Sequence, residues 1–163
     1  MITQVAGRTG RGQFGGKVFL QTYNPEHFSV KCAAAYDFPR FYREELNIRK
    51  AFHYPPFVKL IHLSFAGKKE EEVYSTSNKI ANHIKYILKS KGHEELEEMV
   101  LGPNAAVVYK INQKYRYQIL LKGSQEDFAL LKAIVKYLFI KHKQKFIPKT
   151  VTTGLDTNPF YMM

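Results

Sequence analysis

The clearest periodicity lies between residues 57 and 90. Val58, Leu60, Ile61, Leu63 and Phe65 make 57–65 strand-like, and Val73, Ser77, Ile80, Ile84 and Leu88 then mark one face of a helix. Glu70, Glu71 and Glu72 fall in its first turn and Lys89 and Lys91 in its last, where the helix dipole favours them. Gly92 supplies a C-terminal stop. Residues 99–101 read as a short strand before Gly102-Pro103, resumed through 105–111, and 115–121 as another. Ser124-Gln125-Glu126-Asp127 resembles a capping box ahead of the apolar stripe Phe128, Leu131, Val135 and Leu138. Residues 151–155 close the set as a strand weakened by Gly154. The order is β-α-β-β-α-β, the split βαβ or ferredoxin-like arrangement, so the expected fold class is α+β.

The chain before Tyr54 does not fit that unit. Residues 17–22 read as a strand ended by Asn24-Pro25. A helix follows from Asp37, which can cap it, with Pro39 in the first turn and Phe38, Phe41, Tyr42, Leu46 and Arg49 at helical spacing. Tyr54-Pro55-Pro56 stops it. The first 35 residues hold one strand without a partner and look like the tail of a different domain. The organisation expected is therefore 1–35 as the end of another domain, 36–53 as a linker helix and 54–163 as the second domain.

Charge sharpens this picture. The 163 residues carry 25 Lys+Arg against 14 Asp+Glu, a formal +11. From residue 100 onward ten Lys/Arg face only Glu126, Asp127 and Asp156, so that part alone carries +7. A basic face of this kind suits phosphate backbones, while solubility alone is the plainer explanation. Cys32, the single cysteine, excludes an intrachain disulfide framework and a Cys-built zinc site. Six histidines show no i, i+4 ligand pair, so no metal site is expected. No apolar stretch approaches the roughly 18–20 residues of a membrane span, and no secretory signal opens the chain, so a cytoplasmic location is expected.

Gly10-Arg11-Gly12-Gln13-Phe14-Gly15 matches G-x-G-x-x-G, but a dinucleotide site needs a helix after it and a strand is expected instead. Thr3-Gln4-Val5-Ala6-Gly7-Arg8-Thr9-Gly10-Arg11 carries two arginines three apart, whose guanidinium forks can reach one anion. Two solvated arginines in a glycine-rich turn is the plainer reading. The segment resembles motif VI of superfamily 2 helicases, Q-x-x-G-R-x-G-R. The strand and turn after it, with Tyr36, Phe41-Tyr42, Glu45-Leu46, Arg49, Tyr54-Pro55-Pro56-Phe57, Leu101-Gly102-Pro103, Tyr115-Arg116-Tyr117-Gln118-Ile119-Leu120-Leu121-Lys122 and Leu155-Asp156-Thr157-Asn158-Pro159, are similar in order to the bacterial replication-restart helicase family, primosomal protein N′. Thr9 and Asn158 depart from that pattern, at alanine and acidic positions.

The resemblance implies an ATP-dependent DNA helicase that moves 3′ to 5′ and acts in replication restart and primosome assembly at stalled forks. By it, residues 1–35 are a remnant of a RecA-like lobe, Arg8 and Arg11 are γ-phosphate contacts, and Gln4 helps to position nucleotide or water. It implies ATP and magnesium in the full-length protein, and zinc in the family though no zinc ligands stand in this chain. Single-stranded and branched DNA, primosome proteins and single-stranded DNA-binding protein are the implied partners. Lacking a G-x-x-x-x-G-K-[ST] phosphate loop, the chain looks like the C-terminal fragment of such a helicase and is expected to be inactive alone. The rival is a free-standing basic ferredoxin-like module that binds RNA or a protein.

One stretch carries chemistry independently. In a strand Tyr115, Tyr117, Ile119 and Leu121 share the core face, leaving Lys114, Arg116 and Gln118 on the other. Lys110, Lys114, Arg116 and Lys122, close in sequence, are therefore the candidate DNA contacts.

Overall fold

A computed structural model describes residues 2–9 and 16–159. The chain divides into two compact units, Met1–Phe52 and His53–Met163. Among the described residues the first holds α1 (Ile2–Ala6), α2 (Phe28–Ala34) and α3 (Phe38–Ala51). Asp37 caps α3 as expected, its Oδ1 accepting from the Arg40 N–H at 3.0 Å. The pairs Arg40–Glu44 and Glu45–Arg49, each four residues apart, brace its exposed side. Its last turn gives way to His53 in the left-handed region at φ 52°, just before the two prolines.

Two features of this unit differ from expectation. Residues 17–22 form no strand; they are exposed and pair with no other strand, because strand geometry persists only where another strand takes up the backbone N–H and C=O groups. α2 was not legible from periodicity because only Cys32 of its seven residues is buried. The side chain of His27 caps it by accepting from the Ser29 N–H.

In the second unit β1 (Lys59–Gly67) leads through α4 (Glu70–Ser90) and a 3₁₀ turn (Glu94–Leu96) to the hairpin β2 (Val100–Ile111) and β3 (Lys114–Gly123). Then come α5 (Asp127–Lys136), a π turn (Tyr137–Lys141), α6 (Lys143–Phe146) and β4 (Thr152–Thr157). The sheet runs β2-β3-β1-β4 with every neighbouring pair antiparallel. The α+β class expected from the pattern is what forms.

Ile61, Leu63 and Phe65 of β1 and Ile119 and Leu121 of β3 pack with Val73, Ile80, Ile84 and Leu88 of α4 and Leu131 and Val135 of α5. Each such side chain contributes about 1.5–3 kcal/mol by leaving water, which explains why the apolar periods dictate the layers. α4 stops at Gly92, φ 78°, with the His93 N–H donating to the Leu88 carbonyl and that of Gly92 to Lys89. The capping box before α5 closes in both directions: the Asp127 N–H donates to Ser124 Oγ at 3.1 Å, and the Ser124 N–H to Asp127 Oδ2 at 3.2 Å.

Gly102 has a reason of its own. Its φ of 102° is open to glycine, and a Cβ there would lie 2.7 Å from the Gln118 carbonyl oxygen. The Gly102-Pro103 pair thus lets the edge strand pass close over β3.

Candidate nucleic-acid interface

Residues 100–123, the whole β2–β3 hairpin, contain four cations and no carboxylate. Its turn is two residues, Asn112 and Gln113, both at positive φ (48° and 59°), the requirement of a type I′ turn that matches strand twist. The strands do not pair residue for residue. Ala105 stands opposite Tyr117 and Lys110 opposite Tyr115, so residues 106–109 of β2 face Arg116 alone. This bulge of three surplus residues turns the edge strand outward.

A tyrosine cluster holds the bulge in place. Tyr109 and Tyr117 both donate to Oε1 of Glu70 at the start of α4, Tyr117 at 3.0 Å. Tyr109 also meets the rings of Tyr115 and Tyr117 edge-on, with centroids 5.5 and 6.1 Å away. The Glu70 hydrogen bond holds the Tyr109 phenol well above the usual tyrosine range, and burial raises that of Tyr117. The core-face parity expected for Tyr115, Tyr117, Ile119 and Leu121 is therefore observed, with Ile119 and Leu121 fully buried.

The four candidate contacts do not form one cluster. Lys114 and Arg116 lie on the sheet face turned away from α4 and α5, Lys114 opposite Ile111 and Arg116 opposite Ala66. Lys110 belongs to the other face, its Nζ 4.3 Å from the Tyr115 ring centroid and donating to the Tyr115 hydroxyl at 3.1 Å. Lys122 shares the strand face of Arg116 but is only 7% exposed, with Nζ 3.9 Å from the centroid of Tyr54. Desolvation lowers its pKa from the ordinary 10.5. A cation so covered is a poor first contact for a phosphate; Lys110, Lys114 and Arg116 remain for that role.

The face around Arg116 is polar and low. Ser64 stands between Gln118 and Gly154, and Asn104 opposite Gln118. His62 Nε2 lies 3.0 Å from Gln118 Oε1. The phenyl and phenol rings of β1 and β3 do not point to this side, because parity sends Phe65, Tyr115 and Tyr117 to the helices, and the one ring that does, the His62 imidazole, is buried. It offers hydrogen bonds and charge but no stacking platform.

In the first unit, Gln4 on α1 and Arg8 in the following turn are both exposed. Arg11 and the glycine run 10–15 lie outside the described residues. Among the described residues, no three His, Cys, Asp or Glu side chains could jointly hold a metal ion, and no helix is long and apolar enough to cross a membrane.

The family model of the primosomal protein N C-terminal domain matches residues 50–159, the larger part of the chain and nearly all of the second unit. The chain belongs to that family. It is 32% identical over its full length to the replication restart protein PriA of Bacillus subtilis (strain 168), of which it covers 19%. Over 158 residues, 97% of this chain, it is 34% identical to the protein of that name from Synechocystis, covering 17% of it. Over 123 residues, 76% of this chain, it is 40% identical to that from Treponema pallidum, covering 18%. The chain thus spans less than a fifth of each of these relatives. Neither the bulge nor its tyrosine brace is legible in the sequence, because both depend on the register of β2 against β3.

Proposed function

We propose that this chain acts in replication restart as the C-terminal part of an ATP-dependent 3′-5′ DNA helicase, and that its second unit binds single-stranded and branched DNA through phosphates. The observation that carries the reading is the acid-free hairpin 100–123 with its four cations, in a part of the chain with a net +7. The names of the relatives, replication restart protein PriA, supply the process. Primosome proteins and single-stranded DNA-binding protein are the further partners proposed, in the cytoplasm.

ATP and magnesium would act in the full-length protein, ATP supplying a γ-phosphoryl group whose transfer to water, with ADP as leaving group, would drive movement. The residues present suit only one side of such a site. Gln4 and Arg8 are exposed and able to meet a γ-phosphate, and Arg11 would join them. No phosphate loop or acidic magnesium motif stands in the sequence, so the chain by itself is expected not to hydrolyse ATP.

The DNA reading is tested by titrating labelled single-stranded oligonucleotides of several sequences at two salt concentrations. Affinity is expected to fall with salt at a log–log slope of about −0.7 per phosphate contacted. Arg116→Ala is expected to weaken all sequences alike, by about tenfold for one charge-assisted contact, because a phosphate contact carries no base information. Affinity indifferent both to salt and to Arg116→Ala would favour a protein-binding module instead.

A further inference from the structure

The bulge in β2 exposes apolar surface where a strand edge has no structural use for it. Val107 is 78% exposed and Val108 41%, and Ile111 beside the turn is 42% exposed. These are not the side chains of a loose loop. Ala106 at the base of the bulge is buried, Tyr109 at its other end is tied to Glu70, and the turn at 112–113 is a two-residue hairpin. The bulge is a braced apolar projection.

Its surroundings identify the kind of partner. Lys110 and Lys114 flank Ile111 in the strand ends, Arg116 faces the bulge across the hairpin, and no carboxylate occurs anywhere in 100–123. The acid bonded at the end of the bulge, Glu70, has Oε1 occupied by two tyrosine hydroxyls. An apolar edge with cations on both faces of its hairpin matches a ligand with an apolar, stackable interior and a dense anionic border. Base pairs between two phosphate backbones have that design, and apolar side chains inserted between base steps unstack them.

We propose that Val107 and Val108, with Ile111 beside them, form a wedge that inserts at the boundary between double-stranded and single-stranded DNA, while Lys110, Lys114 and Arg116 hold the flanking phosphates. The proposal rests on the nucleic-acid reading above and adds to it a preference for junctions over plain single strands. The first base pair is the natural target, because it is stacked on one side only and opens at least cost. The wedge unstacks this pair without reading its identity, so the preference follows the junction and not the sequence.

The test uses the 163-residue chain and a forked oligonucleotide with 2-aminopurine in the first base pair of the duplex, whose fluorescence rises on unstacking. A matching single strand and a blunt duplex serve as controls. Binding to the fork is expected to raise the fluorescence. Val107→Ser/Val108→Ser is expected to abolish that rise and to weaken fork binding about tenfold, the worth of roughly one valine of apolar contact. Its single-strand affinity should stay unchanged. Both positions are solvent-exposed, and equal thermal melting of variant and parent verifies the fold. Val107→Leu, which keeps the apolar tip, should retain the fluorescence rise. Fork binding without a rise, or a rise that survives the double serine variant, overturns the wedge and leaves the DNA reading standing. No binding to any of the three oligonucleotides overturns both, and leaves a protein partner for the exposed valines.

Discussion

The ammonium of Lys122 sits 3.9 Å from the centroid of the Tyr54 ring, in a position only 7% exposed. The ring replaces part of the water that the charge gives up on burial. Lys122 is on this account a structural cation that fastens the segment before β1 to the sheet. Tyr54→Ala is expected to cost about 1–2 kcal/mol, measured by urea unfolding. A variant as stable as the parent would show that the ring only lies near.

The same residue predicts a pH dependence. Burial depresses the folded pKa of Lys122 below 10.5, so the unfolded chain binds that proton more tightly. Its contribution therefore weighs against folding below the depressed value and is relieved as pH climbs from there towards 10.5. Tyr109 acts in the opposite sense, since its raised folded pKa costs stability as pH rises above the ordinary tyrosine value. Comparing the parent with Lys122→Met isolates the lysine. The stability of the parent relative to this variant should increase as pH approaches 10.5, and a flat difference would refute the assignment.

Gly154 weakens β4 by propensity, but its contact supplies a reason for it. A Cβ at Gly154 would lie 2.5 Å from Ser64 Oγ, and the Ser64 Cβ is 3.9 Å away. Only the hydroxyl obstructs. Gly154→Ala should cost about 1 kcal/mol as Ser64 is forced to another rotamer. In a Ser64→Ala background the same change should cost nothing or stabilise, and a double-mutant cycle measures the coupling. Additive effects would mean that the clash is not felt.

Residues 17–22 are exposed and unpaired, Phe19 at 90%. Their amides are expected to exchange with deuterium at rates near those of an unfolded peptide, while Ile61, Leu63, Ile119 and Leu121 in the centre of the sheet remain protected. Strong protection at 17–22 would show that this segment has found a partner strand.

Legible in the amino-acid pattern were the layers of the second unit, the stop of α4 and the start of α5. A helix face repeats every 3.6 residues and a strand face every two, so Val73, Ile80, Ile84 and Leu88, or Ile119 and Leu121, declare their side without knowledge of what they meet. Caps are equally local: Asp37, Gly92 and the Ser124–Asp127 box act within a few residues of themselves. The strand expected at 17–22 failed for the opposite reason, since a strand exists only through a neighbour. Which cations share a surface depends on how the strands meet. Lys110 and Lys114 are four residues apart, yet the turn at 112–113 sets them on opposite faces. Lys122 has the parity of Arg116 but lies under Tyr54, 68 positions earlier in the chain. The bulge that exposes Val107 and Val108 is a mismatch of register between two strands, a property of their pairing that neither strand carries alone.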